Sequence, residues 1–338
     1  MAKYLIFRTD RIGDFITSQV ISNSIYESSN KNQIDIVASK YNYNYIKHFK
    51  YIRNIFIFDK TGFKLLDFLN LYFEIKKYKY DYLIILDGKR RSFLSGIFTK
   101  AKIKICFLKD FFPKILIFFF YSKYINNTEM NIQFKNFEIL LNYIDIKLSK
   151  KLNFYNKYNF KKNSYNFKRP YLHLHLDEKW FENNYFYDFD YMGLNKDNIY
   201  SFINELIKKF KINIVITQGF KKVDVFESFK NKYFENKKKL TINKKKIYLI
   251  ENSSFRDLEN IVKYCKFIIC CEGAISHVSH SFGIKTIALI QKDRQIINKF
   301  WTGHMNNIHL VERDKINKVK KEIFRLNIFN NKVIQTKS

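Results

Sequence analysis

The stretch Phe267–Gln291, FIICCEGAISHVSHSFGIKTIALIQ, constrains the fold of this chain more than any other. An apolar, β-branched run (Phe267–Cys271) meets a small-residue turn (Glu272–Ala274). A short helix-compatible segment (Ile275–Phe282) follows, then Gly283 as a stop and a second apolar run, Thr286–Ile290. This is a β–turn–α–β unit. Its turn sets a helix N-terminus, with unpaired N–H groups and the positive end of the helix dipole, at the edge of a parallel sheet, where phosphates and other anions are stabilised. Gly273 and Ala274 let a ligand approach the backbone, and Ser276 and His277 add side-chain donors in the first helical turn. The same residues also describe a plain tight turn between buried strands, with His277 hydrogen-bonded in the core.

The pattern recurs upstream. Tyr4–Arg8 reads as a buried strand, followed by Thr9–Asp14 (TDRIGD) and an amphipathic helix, Phe15–Ser28. Gly13 allows a sharp turn. Asp14 is either the N-cap of that helix or a carboxylate beyond the C-terminal end of the first strand, where open α/β sheets hold their ligands. Arg8 and Arg11 either steady negative charge there or pair with Asp10 and Asp14. Ile34–Ala38, Ile55–Phe58, Tyr82–Leu86 and Ile103–Phe107 read as strands, with helical spacing in Asn42–Phe49, Phe63–Lys77 and Ser92–Phe98. Such alternation with short links argues for a parallel sheet covered on both faces. Lys89, Arg90 and Arg91 follow a strand end, on the side of Asp14 if the two strands share a sheet; a solvated charge run is the other reading.

Phe111–Tyr124 interleaves aromatics with Lys114 and Lys123 and reads as a lid, a membrane-surface helix or a buried helix. Lys150–Lys168 lacks periodicity and reads as a linker, which divides the chain into domains 1–160 and 161–338. After Pro170 the pattern restarts. Tyr171–Leu176 is an alternating strand with His173 and His175 on one face, followed by Asp177-Glu178-Lys179-Trp180. No third ligand stands at metal-binding spacing from the His pair, so no metal is expected. Lys179 lies just past a strand end, where an ammonium meets a diphosphate as a point charge; a surface lysine beside a structural Trp is the alternative. Asn198–Phe210 is an amphipathic helix, and Ile212–Thr217 a strand leading into Thr217-Gln218-Gly219, a second candidate ligand-contacting turn. The Lys-rich interval Lys230–Lys246 reads as solvated helix and loop, Ile247–Ile250 as a strand and Phe255–Cys265 as a helix. Lys292–Trp301 and Asp314–Ile328 complete the domain, the last segment packing back across the linker.

Composition bounds the function. The 338 residues carry 61 Lys and Arg against 31 Asp and Glu, a net charge of +30. This favours a polyanionic partner or an anionic membrane surface, although the lysines are spread through the chain as on solvated faces. Cys106, Cys265, Cys270 and Cys271 lack CxxC spacing and read as reduced core residues of a cytosolic protein. No segment reads as a signal peptide or a bilayer span, so a soluble or peripheral protein is expected. Neither GxGxxG nor GxxxxGK[ST] occurs, which argues against a nicotinamide fingerprint or a P-loop.

Five motifs in register carry a resemblance: Arg11-Ile12-Gly13-Asp14, Tyr80–Arg91 (YDYLIILDGKRR), Lys179-Trp180, Thr217-Gln218-Gly219, and Glu272–His277 followed by GIKTIAL. Together they resemble glycosyltransferase family 9, the heptosyltransferase family of lipopolysaccharide core assembly. The resemblance implies a GT-B architecture, two Rossmann-like domains facing across a cleft. The N-terminal domain would take a glycolipid or oligosaccharide acceptor near Arg11, Gly13, Lys89, Arg90 and Arg91. The C-terminal domain would take a nucleotide-sugar, ADP-heptose in the family, at Lys179, Thr217–Gly219 and Glu272–His277. It further implies an inverting reaction with Asp14 as general base, no cofactor and no catalytic metal. The family usually reads Asp-Thr-Gly where this chain has Glu272-Gly273-Ala274, and the loop before Lys179 is short; both departures bear on which nucleotide and sugar are used. A sugar-nucleotide epimerase and a basic nucleic-acid-binding protein are the rival readings.

Overall fold

The computed structural model describes residues 1–58, 64–108, 114–126, 132–149, 155, 157–162, 164–181, 192–235, 237–292 and 295–326. Parts of the expected segments Phe111–Tyr124, Lys150–Lys168 and Asp314–Ile328 lie outside the described residues. The chain divides into two units, 1–160 with 299–304, and 161–298 with 305–338.

The first unit is built on six strands, β1 (Lys3–Arg8), β2 (Gln33–Ala38), β3 (Ile52–Ile57), β4 (Tyr80–Ile85), β5 (Ala101–Leu108) and β6 (Lys123–Asn126). All pair in parallel, in the order β3-β2-β1-β4-β5-β6. Central β1 and β4 carry buried apolar runs, Tyr4–Phe7 and Leu83–Ile85, because both their faces are covered. The chain leaves β1 toward β2 and β3, then returns to lay β4 on its other side. The β1 and β4 ends therefore flank a topological switch point, where sheets of this kind open a crevice.

Helix α1 (Ile12–Ser28) follows β1, and it is not amphipathic as expected: every residue from Phe15 to Ile25 is buried. Its hydroxyls make this possible, since Thr17, Ser18 and Ser24 donate to the carbonyls of Gly13, Phe15 and Val20 in their own helix. Helices α2 (Lys40–Ile46), α3 (Lys64–Ile75), α4 (Arg90–Phe98), α5 (Lys114–Phe120) and α6 (Gln133–Tyr143) complete the unit. The described part of the aromatic stretch, read from sequence as a lid or a helix, holds α5 and then the start of β6. Of the expected linker, Tyr155 and Tyr158 are buried, and Tyr158 packs against Phe49 and Tyr45.

The second unit carries β7 (Tyr171–Leu176), α7 (Lys196–Phe210), β8 (Asn213–Gln218), α8 (Asp224–Phe234), β9 (Lys239–Ile242), β10 (Lys245–Ile250), α9 (Phe255–Tyr264), β11 (Phe267–Cys271), α10 (Ala274–Ser281), β12 (Lys285–Ile290), α11 (Gln295–Thr302), β13 (Ile308–Glu312) and α12 (Ile316–Arg325). The sheet order is β13-β12-β11-β7-β8-β10-β9, with β9 antiparallel to β10 and the remaining pairs parallel. Here the switch point falls between β7 and β11. β7 does not alternate between core and solvent; all six residues are buried. The Lys-rich interval is not helix and loop throughout. It holds the edge hairpin β9–β10, turned through Asn243 and Lys244, both at positive φ, and its lysines suit an edge exposed to water. Ile316, Val319 and Ile323 of α12 join the second unit's core. The packing onto the first unit expected of the last helix belongs instead to 299–304, where His304 stacks on Phe134 at 3.8 Å.

Candidate active site

In the first unit the loops after β1 and β4 gather three carboxylates and two cations. Arg8, buried at the end of β1, donates to the Leu86 carbonyl at 2.7 Å and through Nε and Nη2 to the Asp14 carbonyl at 3.1 and 3.0 Å. Its ion pair is with Asp10 at 3.1 Å, while Asp14 Oδ1 lies 4.0 Å away. Lys89 Nζ crosses from the other loop to Asp10 at 2.8 Å and to the Thr9 carbonyl at 2.9 Å. Asp87 is buried and accepts from the Thr9 and Ser92 hydroxyls, each at 2.6 Å. The Asp10 carbonyl is fixed in turn by Asn42 Nδ2 at 2.8 Å.

Asp14 is not the N-cap of α1. Arg11 is, and Asp14, two residues past the first helical position, accepts from the Arg11 amide at 3.2 Å. Gly13 accordingly lies in the first turn of the helix. Burial raises the pKa of Asp14, opposed by Arg8 and reinforced by Asp10. Asp87 is raised by burial and then by Asp10. Of the basic trio only Lys89 enters this cluster. Arg90 is exposed, and the Arg91 guanidinium sits over the Phe58 ring at 4.9 Å.

In the second unit the ends of β11, β7 and β8 are neighbours, so their turns share one edge. Lys179 Nζ, in the short 3₁₀ turn Glu178–Trp180, donates to the Glu272 carbonyl and lies 3.9 Å from Asp177 Oδ2. Gly273 is the N-cap of α10, and a Cβ there would meet Lys179 Nζ at 2.8 Å. The lysine thus lies against the N-terminus of α10, with Ala274 as its first residue. A cation on a helix N-terminus is unfavourable by itself, and an anion between them satisfies both. Arg313 steadies this turn by donating to the Lys179 carbonyl at 2.8 Å. Gly219 packs against the same segment, a Cβ there falling 3.0 Å from the Asp177 Cα.

Three expected contacts are placed otherwise. The Ser276 hydroxyl is buried and donates back to the Gly273 carbonyl at 2.7 Å, closing the first turn of α10. Thr217 is buried too, its hydroxyl 2.7 Å from His173 Nε2 and 2.8 Å from His175 Nδ1. His277 is 4% exposed, and burial, His280 and Lys179 push its pKa down to about 3, so it is neutral at physiological pH. Burial likewise takes His175 down to about 4. Gln218, by contrast, keeps a buried Nε2 with no hydrogen-bond acceptor.

Asp10, Asp87, Asp177 and Arg313 were not singled out from sequence as site residues. The signal for Asp87 and Asp177 is a carboxylate ending a buried apolar run, at a strand's C-terminal edge. Asp177 is also raised by burial, with Lys179 opposing.

No protein-family model and no curated protein matches the sequence. Solved structures do. The chain is similar to E. coli heptosyltransferase WaaC with ADP (12% identity, 95% of this chain and 98% of that one, TM-score 0.69). It is also similar to a glycosyltransferase family 9 structure from Veillonella parvula (14%, 98% and 93%, 0.67). A third similar structure is the UDP-GlcNAc 2-epimerase of Methanocaldococcus jannaschii (15%, 97% and 93%, 0.59). The chain has the GT-B fold of these proteins, two units with parallel sheets. Within that class, it shares its fold over nearly its whole length with heptosyltransferases and a family 9 glycosyltransferase, the family its motifs resemble.

Proposed function

We propose that this protein is an inverting glycosyltransferase of the heptosyltransferase type. It would transfer a sugar from a nucleoside-diphosphate donor, ADP-heptose by resemblance, to a lipopolysaccharide-core or other surface-glycan acceptor. The observation that carries the proposal is Lys179 lying against Gly273 at the N-terminus of α10. Two features support the donor class: an anion-seeking strand-end turn, and a fold shared with a heptosyltransferase solved with ADP and with ADP-2-deoxy-2-fluoro heptose.

The chemistry follows from charge. The acceptor oxygen attacks the anomeric carbon from the face opposite the diphosphate. As the new C–O bond forms, the bond to the leaving oxygen breaks and its electron pair goes to the nucleoside diphosphate. Lys179 and the helix N-terminus stabilise that developing charge. Asp14 takes the hydroxyl proton, and the burial that raises its pKa makes it a stronger base than an exposed carboxylate. Lys89 and Arg8 hold the loop that presents it, and Arg11 stands at the helix start where the acceptor would enter. In this scheme the positive charge at the diphosphate comes from the protein, and turnover persists in a chelator.

The test is nucleotide release from a panel of nucleotide-sugars with and without core oligosaccharide acceptors. Release that requires acceptor supports transfer. The shared fold of UDP-GlcNAc 2-epimerases favours a second reading, in which a nucleotide-sugar is altered without acceptor; acceptor-independent turnover selects it.

A further inference from the structure

One surface of the first unit is unlike the rest. α3, α4 and α5 bury Leu71, Phe93 and Ile117 in a single core cluster, so they lie on the same face of the sheet. They are locked side by side. Phe68 of α3 meets Phe98 of α4 edge-on at 5.5 Å, and Tyr121, just past α5, stacks on Phe93 at 4.7 Å. Tyr121 also donates to the Phe93 carbonyl at 2.6 Å.

The outward side of this layer is mostly apolar, with Asn70, Glu74 and Arg90 as exposed polar positions. Phe118 and Phe119 are 82% and 70% exposed, and Leu65, Phe73, Leu94 and Phe98 are each about half exposed. Among the described residues, eight of the seventeen exposed large hydrophobic side chains lie on these three helices. Phenylalanine and leucine have no polar tip, and a contiguous patch of them is a contact surface.

Its charge identifies the occupant. The stretches that form the layer, 64–77, 90–98 and 114–120, hold six Lys and Arg against two Asp and Glu. Lys76 Nζ rests over the Phe73 ring at 4.1 Å, apolar stem along the patch and ammonium at its rim. Exposed apolar rings bordered by lysines match a bilayer interface, where the rings enter the acyl boundary and the ammoniums meet anionic headgroups. A second copy of a chain of charge +30 would bring like charges together.

We propose that the α3–α4–α5 face is a membrane-docking surface for anionic phospholipid. Docking through this face does not depend on transferase activity. It is tested by co-sedimentation of the full chain with vesicles of phosphatidylglycerol and phosphatidylcholine, or of phosphatidylcholine alone, beside the double variant Phe118→Ser, Phe119→Ser. Both positions are solvent-exposed, so the variant folds, which its melting temperature checks. Phe220→Ser, at a 79% exposed Phe of the second unit, is the control.

The wild type should bind the anionic vesicles and barely bind phosphatidylcholine. The double variant should bind at least about tenfold more weakly at unchanged melting temperature, while Phe220→Ser binds like wild type. Failure of the wild type to bind anionic vesicles, or equal binding by the double variant, overturns the proposal. So does a sedimentation-detected dimer that the double variant dissociates.

Discussion

Alanine at two glycines of the second unit separates a ligand-binding role from a structural one. At Gly273 the backbone is extended (φ 160°), so a side chain brings no conformational penalty, and the obstacle is the tip of Lys179, 2.8 Å from the new Cβ. That tip swings away at the cost of its bond to the Glu272 carbonyl, about 1 kcal/mol net. At Gly219 the obstacle is backbone, the Asp177 Cα at 3.0 Å. The main chain itself must yield there, an overpacking cost of about 1–3 kcal/mol. Gly273→Ala should therefore unfold in urea within about 1 kcal/mol of wild type, while Gly219→Ala loses more. In titration calorimetry the order reverses in importance. Displacing Lys179 from the α10 N-terminus removes a charge-assisted contact of about 1.5–3 kcal/mol, so Gly273→Ala should bind nucleoside diphosphate roughly ten- to a hundredfold more weakly. A folded Gly273→Ala protein that binds nucleotide like wild type would refute the assignment of this turn as the diphosphate site.

Further outcomes follow from the charges. His175 and His277, held neutral with pKa values near 4 and 3, bind protons more readily unfolded; their stability contribution is full above about pH 6.5 and is lost as pH falls. Each should cost about 2 kcal/mol between pH 7 and 5, so urea midpoints that stay flat over that range contradict their burial. Asp14→Asn should lower transfer by about 10²- to 10⁴-fold with nucleotide affinity retained. Because Asp14 must be ionised and its pKa is raised, the rate should fall with acid above the ordinary carboxylate range. Asp10→Asn releases Arg8 toward Asp14 and should move that acid limb of the pH–rate profile to lower pH; an unmoved limb refutes the division of Arg8 between the two carboxylates. Turnover in EDTA should equal that in buffer, and its abolition would show that Lys179 does not suffice at the leaving group.

The strands were legible because burial on both faces writes a continuous apolar run. Phe267–Cys271 has the same bounds in sequence and structure; Tyr171–Leu176 does too, although its two histidines made a fully buried strand read as an alternating one. Less legible was which polar residue does what at a strand end. Asp14 looks like a cap because carboxylates collect at helix starts, yet it stands in the first turn of α1, its side chain accepting from the Arg11 amide and its carbonyl held by Arg8. Thr217 looks like a ligand contact until β7 and β8 are paired, which brings its hydroxyl between His173 and His175. Asp10 with Lys89, and Lys179 with Gly273, are separated by dozens of residues. Only the sheet order, a non-local property, makes them neighbours. The hairpin β9–β10 was hidden because an exposed edge strand is rich in lysine and carries little of the apolar signal that marks a central one.

In the proposed reaction, Lys179 and the start of α10 form the nucleoside-diphosphate site. Calorimetric titration of wild type and Lys179→Ala with ADP, UDP, GDP and CDP tests it most directly. Wild type should bind at least one nucleotide at one site, with ADP first by resemblance, and Lys179→Ala should bind about tenfold or more weakly. Absence of binding to all four, or equal binding by a folded Lys179→Ala protein, would contradict it.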